Sequence, residues 1–227
     1  MLISSYVSYI FIIVFLATLI YTIVMFCKDI LGCRLKCFFK RQKTLILLVG
    51  QTGVGKDTVA NLLPYKKVCS YTTRPKRESE VNGREHIFVS NNYMKYLLEY
   101  KKDKIFAKTK IGEYSYCALL DDIKAKTNVY IVDPNGVKEI KNVIRQNMFL
   151  KNNIKLITIY LHLPFEIRYE RSSVRDVKHH KEYFEKRNDA ENEEFENFRC
   201  SGQYDILIYN ENSEATAKII KSIVRSF

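Results

Sequence analysis

The chain has 227 residues, enough for about one sizeable domain and an appendage. Its formal net charge of +12 suits an anionic ligand, and no nucleic-acid recognition motif accompanies it, so no nucleic-acid partner is expected. The six cysteines, Cys27, Cys33, Cys37, Cys69, Cys117 and Cys200, have neither Cys-x-x-Cys nor zinc-finger spacing, which argues against a zinc module and for free thiols in a reducing compartment.

Residues 1–27 carry no charged side chain and are rich in Ile, Leu, Val and Phe. About 20 apolar residues cross a bilayer as a helix, so this run is expected to be a single transmembrane anchor. Lys28, Arg34, Lys36, Lys40, Arg41 and Lys43 follow, opposed by Asp29. The positive flank places the rest of the chain on the cytoplasmic side and makes 28–43 a basic juxtamembrane linker that lies against anionic lipid. The expected location is therefore a single-pass membrane protein, with lipid as a partner.

The apolar run Leu45 to Val49 predicts a buried strand, and a helical stretch runs from Lys56 to Leu63. Between them Gly50, Gly53, Val54 and Gly55 lead into Lys56 with the G-x-x-x-x-G-K spacing of a P-loop. Glycines let several N–H groups converge. The helix N-terminus and the lysine add positive charge, so a nucleotide phosphate is the expected occupant. Asp57 stands where a hydroxyl residue usually follows the lysine. It is a candidate Mg²⁺ ligand, directly or through water, and Thr58 a candidate partner for a phosphate oxygen.

Further on, Arg74 and Arg77 sit three apart beside Ser70, Thr72 and Thr73, in a stretch that Pro75 keeps from being helical. Guanidinium forks suit a second phosphate. Glu80 to Gly83 predicts a turn, and 84–90 a short strand pair. Strands are expected at 128–133, 154–162 and 204–209, and helices at 135–148, 166–175, 182–198 and 213–224. Asp133, at a strand's C-terminal end, lies where α/β sheets bind ligands. The alternation predicts an α/β domain of three layers on a parallel sheet core.

Ser70-x-Thr72-Thr73-Arg74-x-x-Arg77, then Glu80-x-Asn82-Gly83 and a strand ending Phe88-Val89, resembles the GMP-binding region of guanylate kinases. The resemblance runs from about residue 44 to the C-terminus. It implies a P-loop α/β/α domain with a monophosphate-binding insert at about 70–117 and a helical lid at about 171–198. ATP would be the donor, with Mg²⁺, and a nucleoside monophosphate such as GMP or dGMP the acceptor. It implies that Ser70, Arg74 and Arg77 grip the acceptor phosphate, with His86 where the family has a tyrosine. Tyr114 and Tyr116 keep part of an aromatic motif, and Cys117 falls where a hydroxyl residue touches guanine. Asp133 matches an acidic position of the family. Arg171, Arg175 and Arg187 match the lid arginines, and Asn210 a position near adenine. Phe106 stands where the family reads guanine with a glutamate, and Ile131 where it has a first aspartate. Two other outcomes stay open: a different phosphorylated acceptor, or an interaction module that has lost catalysis.

Overall fold

The computed structural model describes residues 18, 19, 21, 22, 25, 42–78, 80–173 and 180–226. The chain divides into two compact units, Met1–Arg41 and Gln42–Phe227. In the first, the described residues are helical, and the Thr22 hydroxyl donates to the Leu19 carbonyl at 2.8 Å.

The second unit is built on β1 (Lys43–Val49), whose residues Leu45 to Val49 are all fully buried. A strand covered on both faces reads as a continuous apolar run, and its side chains alternate between two cores. Leu45, Leu47 and Val49 pack on one side with Val137, Ile140, Phe195 and Phe198. Ile46 and Leu48 pack on the other with Val59, Ala60, Ala217 and Ile220. These layers come from α1 (Lys56–Leu62), α3 (Pro134–Gln146), α6 (His180–Cys200) and α7 (Ser213–Ser226).

The central sheet has the order β2-β7-β1-β8-β9 among the described residues, and every pairing in it is parallel. Its other members are β2 (Lys66–Lys67), β7 (Thr127–Ile131), β8 (Ile154–His162) and β9 (Ile206–Tyr209). Two short helices, α4 (Met148–Asn153) and α5 (Phe165–Ser173), flank β8 in sequence. Asn147 ends α3 in an extended conformation and caps α4, so the helix expected over 135–148 stops at Gln146 and a second, short helix follows it.

A smaller sheet, β4-β3-β6-β5, holds β3 (Tyr71–Thr72), β4 (Ile87–Phe88), β5 (Ile105–Ile111) and β6 (Tyr114–Leu119). Of the strand pair expected over 84–90, Ile87–Phe88 forms a strand. Another helix without a counterpart in the expectations is α2 (Asn91–Tyr100), capped by the Ser90 hydroxyl accepting from the Tyr93 N–H at 3.2 Å. Its Met94 and Leu97 pack against Cys117 and Leu119 of β6.

The membrane placement is withdrawn. Among the described residues no helix is long and apolar enough to cross a membrane. Most of the run 1–27, and the basic stretch 28–41, lie outside the described residues. An uncharged apolar run is needed for a span but does not by itself make one continuous helix. The lipid contact expected of the linker is withdrawn with it.

Candidate active site

β1 delivers the chain to the phosphate loop. Gly53 has φ 83° and Gly55 φ 90°, a region that side chains rarely adopt. A Cβ on Gly53 would lie 2.5 Å from the Arg168 carbonyl oxygen, and one on Gly55 2.8 Å from Asn210 Nδ2. Neither position has room for a side chain, so the loop is packed hard against α5 and the turn after β9. Asn210 holds it there by donating to the Val54 carbonyl at 2.7 Å, while its own Oδ1 is buried without a partner.

Lys56 opens α1. Its ammonium donates to the Gly50 carbonyl at 2.6 Å and the Gln51 carbonyl at 3.0 Å. The residue keeps some surface, but the ammonium is enclosed by protein, and burial lowers it to about 8. Glu191 opposes that shift, Arg187 adds to it, Asp57 opposes it and Arg168 adds to it. An enclosed ammonium hydrogen-bonded to carbonyls at the start of a helix fits nucleotide phosphates.

Asp57 faces elsewhere. Its carboxylate pairs with Lys67 of β2 at 2.7 Å. Thr58 is exposed on the first turn of α1. Among the described residues no three His, Cys, Asp or Glu side chains converge to hold a metal. The donor set therefore does not build a metal cage.

The second anion site gathers on the small sheet. Ser70 Oγ lies 2.9 Å from His86 Nδ1. The Arg74 guanidinium donates to Glu80 at 2.6 Å and lies 5.5 Å from the centre of the Phe88 ring. Tyr116 acts electrostatically on Arg74 and meets the His86 ring edge-on at 5.7 Å. Burial, and then Arg74, lower His86 below the usual histidine range. Glu80 accepts from the Arg77 N–H at 2.8 Å, and the Arg77 residue is exposed. Lys67 and Asp57 also act on His86, which joins this cluster electrostatically to the phosphate-loop helix.

The remaining candidates separate. Tyr114 sits exposed at the start of β6. Cys117 points to the opposite face of β6 from Tyr116, into the small core, where burial pushes its thiol up to about 11. Asp133 caps α3 by accepting from the Gly136 N–H at 2.6 Å, and burial raises it above the usual carboxylate range. Arg171 donates to the Asn210 carbonyl at 2.8 Å and the Glu211 carbonyl at 2.6 Å. Arg175 lies outside the described residues. Arg187 on α6 pairs with Glu191 at 2.7 Å. Phe106 is 0 % exposed and packs edge-on against Tyr130 at 5.5 Å.

Two residues at the loop escape the sequence patterns. Arg168 is buried and donates to the carbonyls of Thr52 and Leu163, both at 3.1 Å, and to Asn188 at 2.9 Å. Glu191 accepts from the Thr52 N–H at 2.9 Å and its hydroxyl at 2.8 Å. The one local signal for Glu191 is its position four residues after Arg187 on one helix face.

A guanylate kinase family model matches residues 41–227. The chain is 30 % identical over 199 residues to a guanylate kinase of Mycoplasmopsis synoviae, covering 82 % of this chain and 96 % of that protein. It is 24 % identical over 200 residues to one of Blochmanniella pennsylvanica, covering 82 % and 88 %. The crystal structure of guanylate kinase from Anaplasma phagocytophilum has the same fold, with TM-score 0.59 at 22 % identity, covering 82 % of this chain and 87 % of that one. With the phosphate loop and the arginine-lined second site in one α/β unit, these matches place the chain in the guanylate kinase family, as an ATP-dependent nucleoside monophosphate kinase.

Proposed function

We propose that the chain transfers the γ-phosphoryl group of ATP to the phosphate of GMP or dGMP. The observation that carries this reading is the cluster of Ser70, Arg74, His86 and Tyr116 on the small sheet, whose side chains suit a phosphate. The names of the relatives support guanine as the acceptor base.

The reaction needs no covalent intermediate, and positioning with charge stabilisation supplies most of the catalysis. Lys56 and the loop N–H groups hold the donor phosphates. Arg74, kept aligned by Glu80, holds the acceptor phosphate. Arg187 neutralises charge as it spreads over the transferring group. Mg²⁺ bound with ATP would shield the phosphates and polarise the leaving oxygen.

A second reading keeps the enzyme and changes the base. The position that would carry a guanine-reading carboxylate holds Phe106, and that ring is part of the hydrophobic core. A site without that partner loses discrimination. The test is ATP consumption by the full chain against GMP, dGMP, AMP, CMP, UMP and dTMP. Turnover with GMP or dGMP well above the others supports the proposal. Preference for another base overturns it in favour of the second reading.

A further inference from the structure

We infer that Glu191 is a positioning residue, which ties helix α6 to the phosphate loop and so presents Arg187 to the transferring phosphoryl group; this rests on the kinase reading above. Its carboxylate has three short partners. The Thr52 N–H lies at 2.9 Å, the Thr52 hydroxyl at 2.8 Å and Arg187 Nε at 2.7 Å. An acid–arginine pair one helical turn apart does little to fix an arginine when both ends are exposed. Here the acid end is fastened: the Glu191 side chain is 19 % exposed, against 42 % for Arg187.

The fastening is part of a larger seam. Arg187, Asn188, Glu191 and Asn192 share one face of α6, by helical spacing. Asn188 binds Arg168, which holds the Thr52 carbonyl at 3.1 Å. Asn192 accepts from Gln51 Nε2 at 3.3 Å. Thr52 is thus gripped at its N–H, carbonyl and hydroxyl, all by α6 or through Arg168. A carboxylate beside incoming phosphates would weaken ATP binding if its charge were open. Arg187 and Lys56 hold it ionised and compensated, although burial pushes the other way. Its contribution is therefore geometric: it fixes where Arg187 stands relative to the loop.

The test is a double-mutant cycle on the full chain with ATP and GMP, or the acceptor that the panel selects. Glu191→Ala is expected to lower kcat by about ten- to hundredfold, the scale of a misplaced catalytic group. The acceptor KM should stay within about threefold. Glu191→Gln keeps an acceptor oxygen for Thr52 and drops the charge facing Arg187, so it should fall between, and its near-identical shape guards against misfolding. In an Arg187→Ala background, Glu191→Ala should cost less than about a further threefold, because it acts through the missing arginine. Glu193→Ala, exposed on the same helix, should leave kcat unchanged. Additive losses, wild-type kcat in Glu191→Ala, or a lower ATP KM with unchanged kcat would each overturn the inference while the kinase reading stands. A wild-type chain that turns over no monophosphate would overturn both.

Discussion

On the proposed function, donor binding turns on Lys56. Replacing it by methionine is expected to lower kcat at least about a hundredfold, on the scale of a lost transition-state donor. Its ammonium sits near 8 because it is enclosed. Phosphate binding favours the charged form, so ATP affinity should hold below about pH 8 and fall as pH rises above it. Calorimetric titration with ATP from pH 6.5 to 9.5 measures this. Phe106 makes the opposite kind of claim. Because it is fully buried, Phe106→Ala should destabilise the fold by about 3–5 kcal/mol in denaturant unfolding. Phe106→Glu should destabilise it as well, and should not create guanine selectivity, because it would put a carboxylate into the hydrophobic core.

Among the elements, the phosphate loop was legible because its determinants are contiguous. Strand, glycines, lysine and helix follow within one short stretch, and each acts through its own backbone. Gly55→Ala should both destabilise the protein, by about 1–3 kcal/mol, and weaken ATP binding, since a Cβ there meets Asn210 Nδ2 in a left-handed backbone. Thermal unfolding with and without ATP separates the two effects. Helix α2 was not legible, although it has a serine cap and two buried residues three apart, because its outer face is dense in tyrosine rather than charge. Strands β3 and β4 are two residues each, too short for any alternation to register. The hairpin of β5 and β6 decides which of Tyr116 and Cys117 faces the acceptor cluster, and a one-residue change of register would exchange them.

At the scale of the molecule, the three hydrophobic clusters and both candidate phosphate sites lie within Gln42–Phe227. A fragment of residues 42–227 should therefore fold with the full chain's melting temperature and turn over its substrate with the same kcat. Unfolding and steady-state assays on the two proteins check this. His86 and His162 both have lowered values, each mainly because burial disfavours the imidazolium. The unfolded chain binds protons to them more readily than the fold does. Their stability contribution is present above the ordinary histidine range and is lost as pH falls through it. Denaturant midpoints should drop from pH 7 to pH 5, and His162→Phe should reduce that drop.

What could be read along the chain was whatever acts locally: the buried β1 run, the glycine-rich loop leading into Lys56, and the alternation that makes an α/β domain. The apolar run at 1–27 shows the limit of such reading: hydropathy and a basic flank suggest a membrane helix, but among the described residues no helix is long and apolar enough to cross a membrane. Folding settled the pairings between distant residues. Glu191 and Thr52 are 139 residues apart, and no local pattern marks them as partners. Asp57 turned to Lys67, Cys117 to the small core and Arg171 to the turn after β9, because each had a neighbour that only the packed chain supplies. Backbone propensity is written over a few residues, whereas a side chain's partner depends on which strands and helices come to lie beside it.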